Sequence, residues 1–153
     1  MGIDVELLIL KQLDRFYHKE NPSVIKNVIL PIISENHKIS LRFIEKFITK
    51  YCKEHDVFIK YNNRIINPYS EYRSQLDSYD KRRFDPFKRR QSSSSSGKSD
   101  ESESHIILYP CDLKSKKLFR TTIGQLNYFR WIIETGILNY IIDNYDQIKK
   151  NEK

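Results

Sequence analysis

The sequence predicts an α+β fold: a mostly helical single domain with a small antiparallel sheet (a hairpin plus one strand) and a C-terminal αα-hairpin. Three observations support this prediction. Apolar residues recur at helical spacing over most of the chain, two short β-rich runs flank a pair of asparagines, and one further apolar run is typical of a strand. At 153 residues the chain is long enough for one compact domain and short for two.

The first part of the predicted domain opens with helices. Asp4 is a suitable N-cap for an amphipathic stretch that reaches residue 18, and a short helix is expected between Pro22 and Pro31. Ser40 is the next N-cap candidate, and an amphipathic stripe extends behind it to about Lys53. We therefore expect two well-formed helices with a shorter one between them.

A β-hairpin, a tyrosine-faced helix and a basic segment complete residues 1–90, the N-terminal part of the domain. Asn62 and Asn63 separate the two β-rich runs, and asparagine tolerates positive φ angles better than most residues, so a tight hairpin is expected. After Pro68, tyrosines recur at helical spacing along one face. Core packing is favoured for these rings over a binding surface, because apolar periodicity chiefly indicates burial.

The serine-rich run of residues 91–104 is predicted to be a disordered linker or insertion within the domain. It contains five consecutive serines followed by alternating acids and serines, and such a composition cannot bury apolar surface. Ser99 and Ser102 have acidic neighbours and are candidate phosphorylation sites. Added negative charge there would weaken polyanion binding by the cations that precede the run.

Residues 105–150, the C-terminal part of the same domain, are predicted to form one strand followed by two helices. An apolar run that ends at Pro110 is typical of a buried strand. Thr122 and Gln125 match a capping box, in which the threonine hydroxyl and the glutamine side chain close the helix start reciprocally. Gly136 is a natural C′ residue between the two helices.

Most of the basic character of the chain lies in residues 81–90, which we call the basic decapeptide. Its six cations and one acid give +5 of the formal net charge of +7. Because cations that neutralise phosphates release counterions, this segment suits a polyanion, above all nucleic acid. The residues predicted to bind nucleic acid are Lys81, Arg82, Arg83, Lys88, Arg89 and Arg90, with Arg73 and Arg64 as extensions of the patch.

The aromatic residues in and before the basic decapeptide have two interpretations, and the basic cluster itself has a further one. Phe84, Phe87, Tyr72 and Tyr79 are predicted to stack on unpaired bases or to dock a protein partner. In the other interpretation the phenylalanine pair anchors the segment on the core and the cations are solvated. A nuclear-import signal is a third interpretation of the basic cluster.

The sequence contains few candidate catalytic or metal-binding motifs. The sequence has no glycine-rich phosphate loop, nucleophile elbow or His-Glu-x-x-His motif, so we predict a protein that is not an enzyme and has no cofactor. A metal-dependent nuclease using Asp77, Asp80 and Asp85 is the remaining enzymatic alternative, although the neighbouring cations favour salt bridging. Cys52 with His55 and His105 with Cys111 could together supply four zinc ligands, but these distant pairs lack the close spacing of ordinary structural sites, so no metal site is predicted.

The composition also predicts an intracellular protein without a membrane anchor. The first ten residues lack the basic region of a signal peptide, and the longest apolar runs fall far short of the roughly 20 residues of a membrane span. Two cysteines do not make a disulfide scaffold. The absence of alanine, which is normally among the commonest residues, indicates an AT-biased genome.

Two stretches of sequence stand out together. The first joins Tyr-Arg-Ser-Gln-Leu at 72–76 to Arg-Phe-Asp-Pro-Phe at 83–87, and the second joins Thr-Thr-Ile-Gly-Gln-Leu-Asn at 121–127 to Phe-Arg-Trp at 129–131. They resemble an uncharacterised protein family of the nucleocytoplasmic large DNA viruses, the giant-virus lineage. The resemblance covers about residues 39–148 and leaves out the first helix and the serine-rich run.

The resemblance implies a viral protein inside the host cell, in the cytoplasmic viral factory, the virion or the nucleus, close to DNA replication, transcription or packaging. It implies no catalytic residues. The family pattern has a cysteine where this chain has Lys88, so a thiol or metal role at that position is absent here. We therefore predict a non-enzymatic viral protein that binds DNA or RNA through the basic decapeptide. The alternative is a virion or assembly adaptor that docks another viral protein through Phe84, Phe87 and the tyrosine-rich surface.

Overall fold

The computed structural model describes residues 4–79, 83–87 and 106–151. Helices dominate these residues and the strands form small antiparallel pairs, so the predicted α+β class with helix in excess is confirmed. The serine-rich run of residues 91–104, with Ser99 and Ser102, lies outside the described residues.

The elements divide into helices, π-helical stretches and strands. The helices are α1 (Val5–Asp14), α2 (Leu30–Ile33), α3 (Leu41–Lys46), α4 (Cys52–Glu54), α5 (Pro68–Tyr79), α6 (Ile123–Glu134), α7 (Ile137–Asp143) and α8 (Tyr145–Lys150). Wider π-helical turns occupy Arg15–Glu20, Ile25–Ile29 and Phe47–Tyr51. The strands are β1 (Ile59–Tyr61), β2 (Arg64–Ile66), β3 (Ile106–Pro110) and β4 (Leu118–Thr122). Because the last π-helical stretch joins α3 to α4, residues 41–54 form one continuous helix, which we call the long helix.

Local side-chain chemistry sets the helix starts as predicted. Asp4 Oδ1 accepts from the Leu7 N–H at 3.2 Å, and Ser40 Oγ accepts from the Phe43 N–H at 3.0 Å. Pro31 was expected to limit the second helix, but it lies inside the helical run, in the first turn of α2. The Leu30 N–H beside it donates to the Ile25 carbonyl, so the helical run is continuous up to Pro31, and the absent Pro31 N–H removes one bond from it.

The predicted hairpin is present, with Asn62 and Asn63 at φ angles of 50° and 63° between β1 and β2. The later strand does not join that sheet, which corrects the expectation of a hairpin plus one strand. Instead β3 pairs with β4, a strand that the sequence did not indicate. The Asp112 carboxylate accepts from two backbone N–H groups of the connecting turn, at 2.8 and 2.6 Å, and so reverses the chain for local pairing.

The C-terminal αα-hairpin forms about Gly136, which has a φ of +87°. This left-handed conformation ends α6 and starts α7, as the C′ prediction requires. The hairpin and β3 pack on the N-terminal helices. Tyr17 donates a short hydrogen bond to the Leu126 carbonyl, and the Tyr109 hydroxyl donates to Asp14 at 2.6 Å. One hydrophobic core therefore includes residues from both parts of the chain.

Candidate nucleic-acid interface

The centre of the basic decapeptide is built into the core. Phe84 is 0% exposed, and its ring centroid lies 5.2 Å from that of Trp131 and 5.4 Å from that of Tyr128. Tyr79 stacks on it at 6.0 Å, and Tyr72 lies 6.1 Å away. The prediction that Phe84 stacks on bases or docks a partner is wrong, because burial leaves no face of the ring accessible. Phe84 acts as the anchor of the alternative interpretation.

Two side-chain amides of α6 hold the backbone of the anchored segment, as we call residues 83–87. Gln125 Nε2 donates to the Pro86 carbonyl at 2.9 Å, and Asn127 Nδ2 donates to the Arg83 carbonyl at 3.0 Å. Both amide residues are almost completely buried, so these bonds satisfy groups that have little access to water. The segment is thus fixed at two backbone points as well as by a buried ring.

The anchoring role of Gln125 alters the predicted capping box. Thr122 Oγ1 accepts from the Gln125 N–H at 3.0 Å, as predicted. The reciprocal bond is replaced, because Gln125 Oε1 accepts from Thr121 Oγ1 at 2.6 Å while its Nε2 serves Pro86. Sequence reasoning missed this role. The signal was present as a polar amide among the apolar residues of the first helical turn, but its partner lay far away in the chain.

Arg130 orients the second amide. Its Nε and one Nη donate to Asn127 Oδ1 at 3.1 and 2.8 Å, and its other Nη lies 2.6 Å from Glu134. Because the Asn127 oxygen is occupied by the guanidinium, its nitrogen is directed to the anchored segment.

Asp85 shapes the turn within the anchored segment. Its carboxylate is 4% exposed, and Oδ1 accepts from the Phe87 N–H at 3.0 Å, which is an Asx turn. Among the described residues, no three His, Cys, Asp or Glu side chains are grouped to hold a metal ion. Asp77 is exposed on α5, and Asp80, the third carboxylate of the nuclease alternative, lies outside the described residues.

The two cysteines are buried free thiols. Burial raises the pKa of the Cys52 thiol far above its ordinary range, because the desolvated thiolate is disfavoured. A protonated thiol is a poor nucleophile and a poor metal ligand, so Cys52 has the character of a small core residue.

Arg83 is the cation of the basic decapeptide that the described residues include. Its side chain is 23% exposed, and its Nε lies 3.5 Å from a carboxylate oxygen of Glu6 on α1. This ion pair joins the anchored segment to the first helix, so Arg83 has a structural role in addition to its charge. The five cations outside the described residues are Lys81, Arg82, Lys88, Arg89 and Arg90.

Arg64 and Arg73, the predicted extensions of the patch, have local partners at the surface. Arg64 pairs with Glu71 on α5 at 3.1 Å, and Arg73 donates to the Tyr69 hydroxyl at 3.1 Å. Both guanidinium groups remain at the surface, and their part in nucleic-acid binding stays a prediction.

The two stretches that carried the family resemblance meet at the anchored segment. Tyr72 from the first lies 6.2 Å from Trp131 in the second, measured between ring centroids. Tyr72 and Tyr79 are half-buried against Phe84, which agrees with the core interpretation of the tyrosine face, and Phe87 is also half-buried. The residues on which the resemblance was based therefore include some of those that build this cluster.

None of the helices within the described residues combines the length and the apolar character that crossing a membrane requires.

Comparison with known proteins supports the giant-virus resemblance. "Uncharacterized protein L507" of Acanthamoeba polyphaga mimivirus is 30% identical to this chain over 142 residues, which cover 89% of this chain and 49% of that protein. The chain thus spans about half the length of the curated relative it matches. No solved structure matches. A family of unknown function (DUF7197) matches residues 4–153, a longer span than the resemblance indicated. The predicted membership of an uncharacterised giant-virus family is confirmed: the chain belongs to the family of unknown function DUF7197.

Proposed function

We propose that this chain binds nucleic acid through the basic decapeptide, in replication, transcription or packaging of a viral genome. The observation that carries the proposal is the anchoring of the decapeptide's centre by Phe84, Gln125 and Asn127. Because the chain is continuous, the two basic clusters adjoin the ends of a segment that is fixed to the core. A fixed attachment lowers the ordering cost of binding compared with a free tail.

The chemistry of this site is electrostatic and independent of base sequence. Each cation that neutralises a phosphate releases counterion, so affinity decreases as salt increases. The four arginines of the basic decapeptide add the planar fork that matches phosphate oxygens. Such contacts are made equally with duplex and single-stranded backbones, so this segment alone gives little discrimination between them.

The second candidate, a virion or assembly adaptor, loses much of its predicted docking surface to the core. Phe84 is fully buried, and Tyr72 and Tyr79 pack against it. Phe87 is half-buried and retains some accessible surface. Nucleic-acid binding is therefore the proposal that the geometry supports better.

The test is fluorescence anisotropy with a labelled duplex and the corresponding single strand, between about 50 and 200 mM salt. We expect binding to both, with affinity falling steeply with salt. The variant Arg82→Ala/Arg89→Ala/Arg90→Ala should flatten the slope of log K against log salt by up to about 2.7 for duplex, at about 0.9 per lost phosphate contact.

The matched control is Lys11→Ala/Lys19→Ala/Lys26→Ala, which removes the same charge from exposed positions in the N-terminal helices. It should retain most of the wild-type affinity. A flat salt response of the wild type, or equal losses in the two variants, contradicts the proposal. Cleavage of the probe after addition of Mg²⁺ would establish the nuclease alternative instead.

A further inference from the structure

A groove rich in cations and rings lies outside the anchored segment. It runs between the long helix (residues 41–54) and α8, and we call it the aromatic groove. One end is a cavity of about 300 Å³ that is mostly apolar, and the other is a cavity of about 190 Å³ lined by several cations. The two cavities share Phe43 and Lys46, so they form one continuous depression.

The cations of the aromatic groove follow the geometry of the long helix. Arg42, Lys46 and Lys50 are exposed and recur every four residues, which spaces them by about 6 Å along a helix axis. Residues spaced by four in an α-helix shift gradually around the helix axis. The π-helical turn within this helix contains more residues per turn than an α-helical turn, so it partly offsets this shift. Lys38 and Lys149 contribute from neighbouring segments.

Glu54, at the apolar end, is the acid among the residues that line the two cavities. The described lining is therefore strongly positive along its length. A spaced row of positive charge in a concave surface attracts an extended polyanion better than a compact anion, because successive cations meet successive charges.

Three rings form a ladder from the core to the surface at the apolar end. Phe47 is 1% exposed, Tyr51 is half-buried and His55 is exposed. The Phe47 and Tyr51 rings are stacked with centroids 5.4 Å apart and planes 23° apart. The Tyr51 and His55 rings are stacked at 4.1 Å and 15°. The outermost ring thus continues a stack that begins in the core, and a planar base could extend it further.

Cations and rings are also paired at the other end of the groove. Phe43 and Tyr145 pack at 5.0 Å between centroids. Lys38 Nζ lies 4.8 Å from the Tyr145 ring centroid, and Lys149 Nζ lies 5.9 Å from that of Phe43. These contacts hold the ammonium groups beside the cavity rather than leaving them free to move in solvent.

From this juxtaposition we infer that the aromatic groove binds a segment of single-stranded nucleic acid. The phosphates lie along the row of Arg42, Lys46 and Lys50, and an unpaired base stacks at the Tyr51–His55 end. Rings alternating with a basic track are the general means by which proteins hold single strands without reading their sequence. Paired bases keep their faces within the helix, so a duplex can use the cations but not the ring ladder.

The groove gives the protein a strand preference that the basic decapeptide cannot give. It also stands apart from the proposed function in its residues, since it contains none of residues 81–90. Either site can therefore fail experimentally without the other.

The test uses fluorescence anisotropy of the full chain with a labelled oligothymidylate and a blunt duplex of the same length. His55→Ala should lower the affinity for oligothymidylate by about tenfold, since loss of one base–ring stack costs roughly 5- to 150-fold. Duplex affinity should not change. His55→Phe, which keeps a ring over Tyr51, should restore oligothymidylate binding.

The cationic row has its own variants. Arg42→Ala/Lys46→Ala/Lys50→Ala should flatten the single-strand salt slope by about 2, at about 0.7 per phosphate contact. Glu54→Gln should strengthen oligothymidylate binding, a gain that misfolding cannot produce. All of these positions are exposed, and far-UV circular dichroism verifies the fold of each variant.

Three results would overturn the inference. They are unchanged oligothymidylate binding in both His55→Ala and the triple variant, an equal loss of duplex and single-strand affinity in His55→Ala, and competition by polyglutamate as effective as that by unlabelled oligothymidylate. The last would assign the groove to an acidic protein partner. The variant Arg82→Ala/Arg89→Ala/Arg90→Ala should leave the effect of His55→Ala intact, which separates this inference from the proposed function.

Discussion

The chain carries two clusters of cations that are built in opposite ways. In the basic decapeptide, six cations fall within ten residues of sequence, and a buried phenylalanine fixes their centre. In the aromatic groove, five cations come from the loop before the long helix, from that helix and from α8, and the fold gathers them around a stack of rings.

The difference shows which kind of binding surface can be found without a structure. A contiguous basic run is conspicuous in the sequence, but its aromatic centre was open to two interpretations until Phe84 was located. A row such as Arg42, Lys46 and Lys50 resembles the ordinary solvated face of an amphipathic helix. It becomes a candidate site only when Tyr51, His55 and α8 are placed beside it.

The largest expected effect tests the anchor of the basic decapeptide. Phe84→Ala should lower the free energy of unfolding by about 3–5 kcal/mol, because it leaves a cavity among packed aromatic rings. The control is Phe58→Ala at a ring that is 61% exposed, with an expected change within about 0.5 kcal/mol. Urea unfolding measures both. Equal losses in the two variants would contradict the anchoring role.

The next largest effect concerns Gln125, one of the two amides of α6 that hold the backbone of the anchored segment. Gln125→Ala removes the partners of the Pro86 carbonyl and of the Thr121 hydroxyl, and should cost about 1–3 kcal/mol. Gln12→Ala, at an exposed position of α1, should be nearly neutral. A neutral Gln125→Ala would mean that the amide does not hold the segment.

Alkaline pH tests the core that carries both clusters. Burial raises the pKa of Tyr17 well above its ordinary value of about 10, with Arg130 opposing the shift. The unfolded chain can release this proton above about pH 10 while the folded chain retains it, so stability is intact below that pH and falls above it. Tyr17→Phe should make the fall shallower by about 1.4 kcal/mol per pH unit. Urea unfolding at a series of pH values checks the slope, and an unchanged slope would contradict the assignment.

The smallest effect concerns the helix that carries the groove. Ser40→Ala removes the N-cap of the long helix and should cost about 1 kcal/mol. Ser40→Asp retains a capping oxygen and should keep the stability. Its added negative charge lies beside the cationic cavity and should weaken oligothymidylate binding, as measured by anisotropy. A destabilised Ser40→Asp, or one that binds as tightly as the wild type, would argue against this placement.

Features that depend on neighbouring residues could be predicted from the sequence. Asp4 and Ser40 cap their helices, Asn62 and Asn63 adopt positive φ, and Gly136 takes the left-handed conformation, each through chemistry within a few residues. These choices have local physical causes, so no knowledge of the tertiary fold was needed.

Features that depend on distant partners could not be predicted in this way. Gln125 and Pro86 lie 39 positions apart, and nothing local to either residue identifies the other. Strand β4 was missed because its Arg-Thr-Thr end is polar, although Thr121 and Thr122 are buried in the fold. The aromatic groove was missed because its two sides, α8 and the long helix, are far apart in the sequence and adjacent only in the fold.

The most direct test of the two-site account compares four proteins in one binding assay. They are the wild type, the decapeptide triple variant at residues 82, 89 and 90, the groove triple variant at residues 42, 46 and 50, and the combination of all six changes. For an oligothymidylate long enough to contact both sites at once, the combined loss of binding free energy should equal the sum of the separate losses to within about 0.5 kcal/mol, because the two sets of contacts share no residue. A combined variant that binds as tightly as the wild type, or one that loses no more than either triple variant alone, would contradict the account.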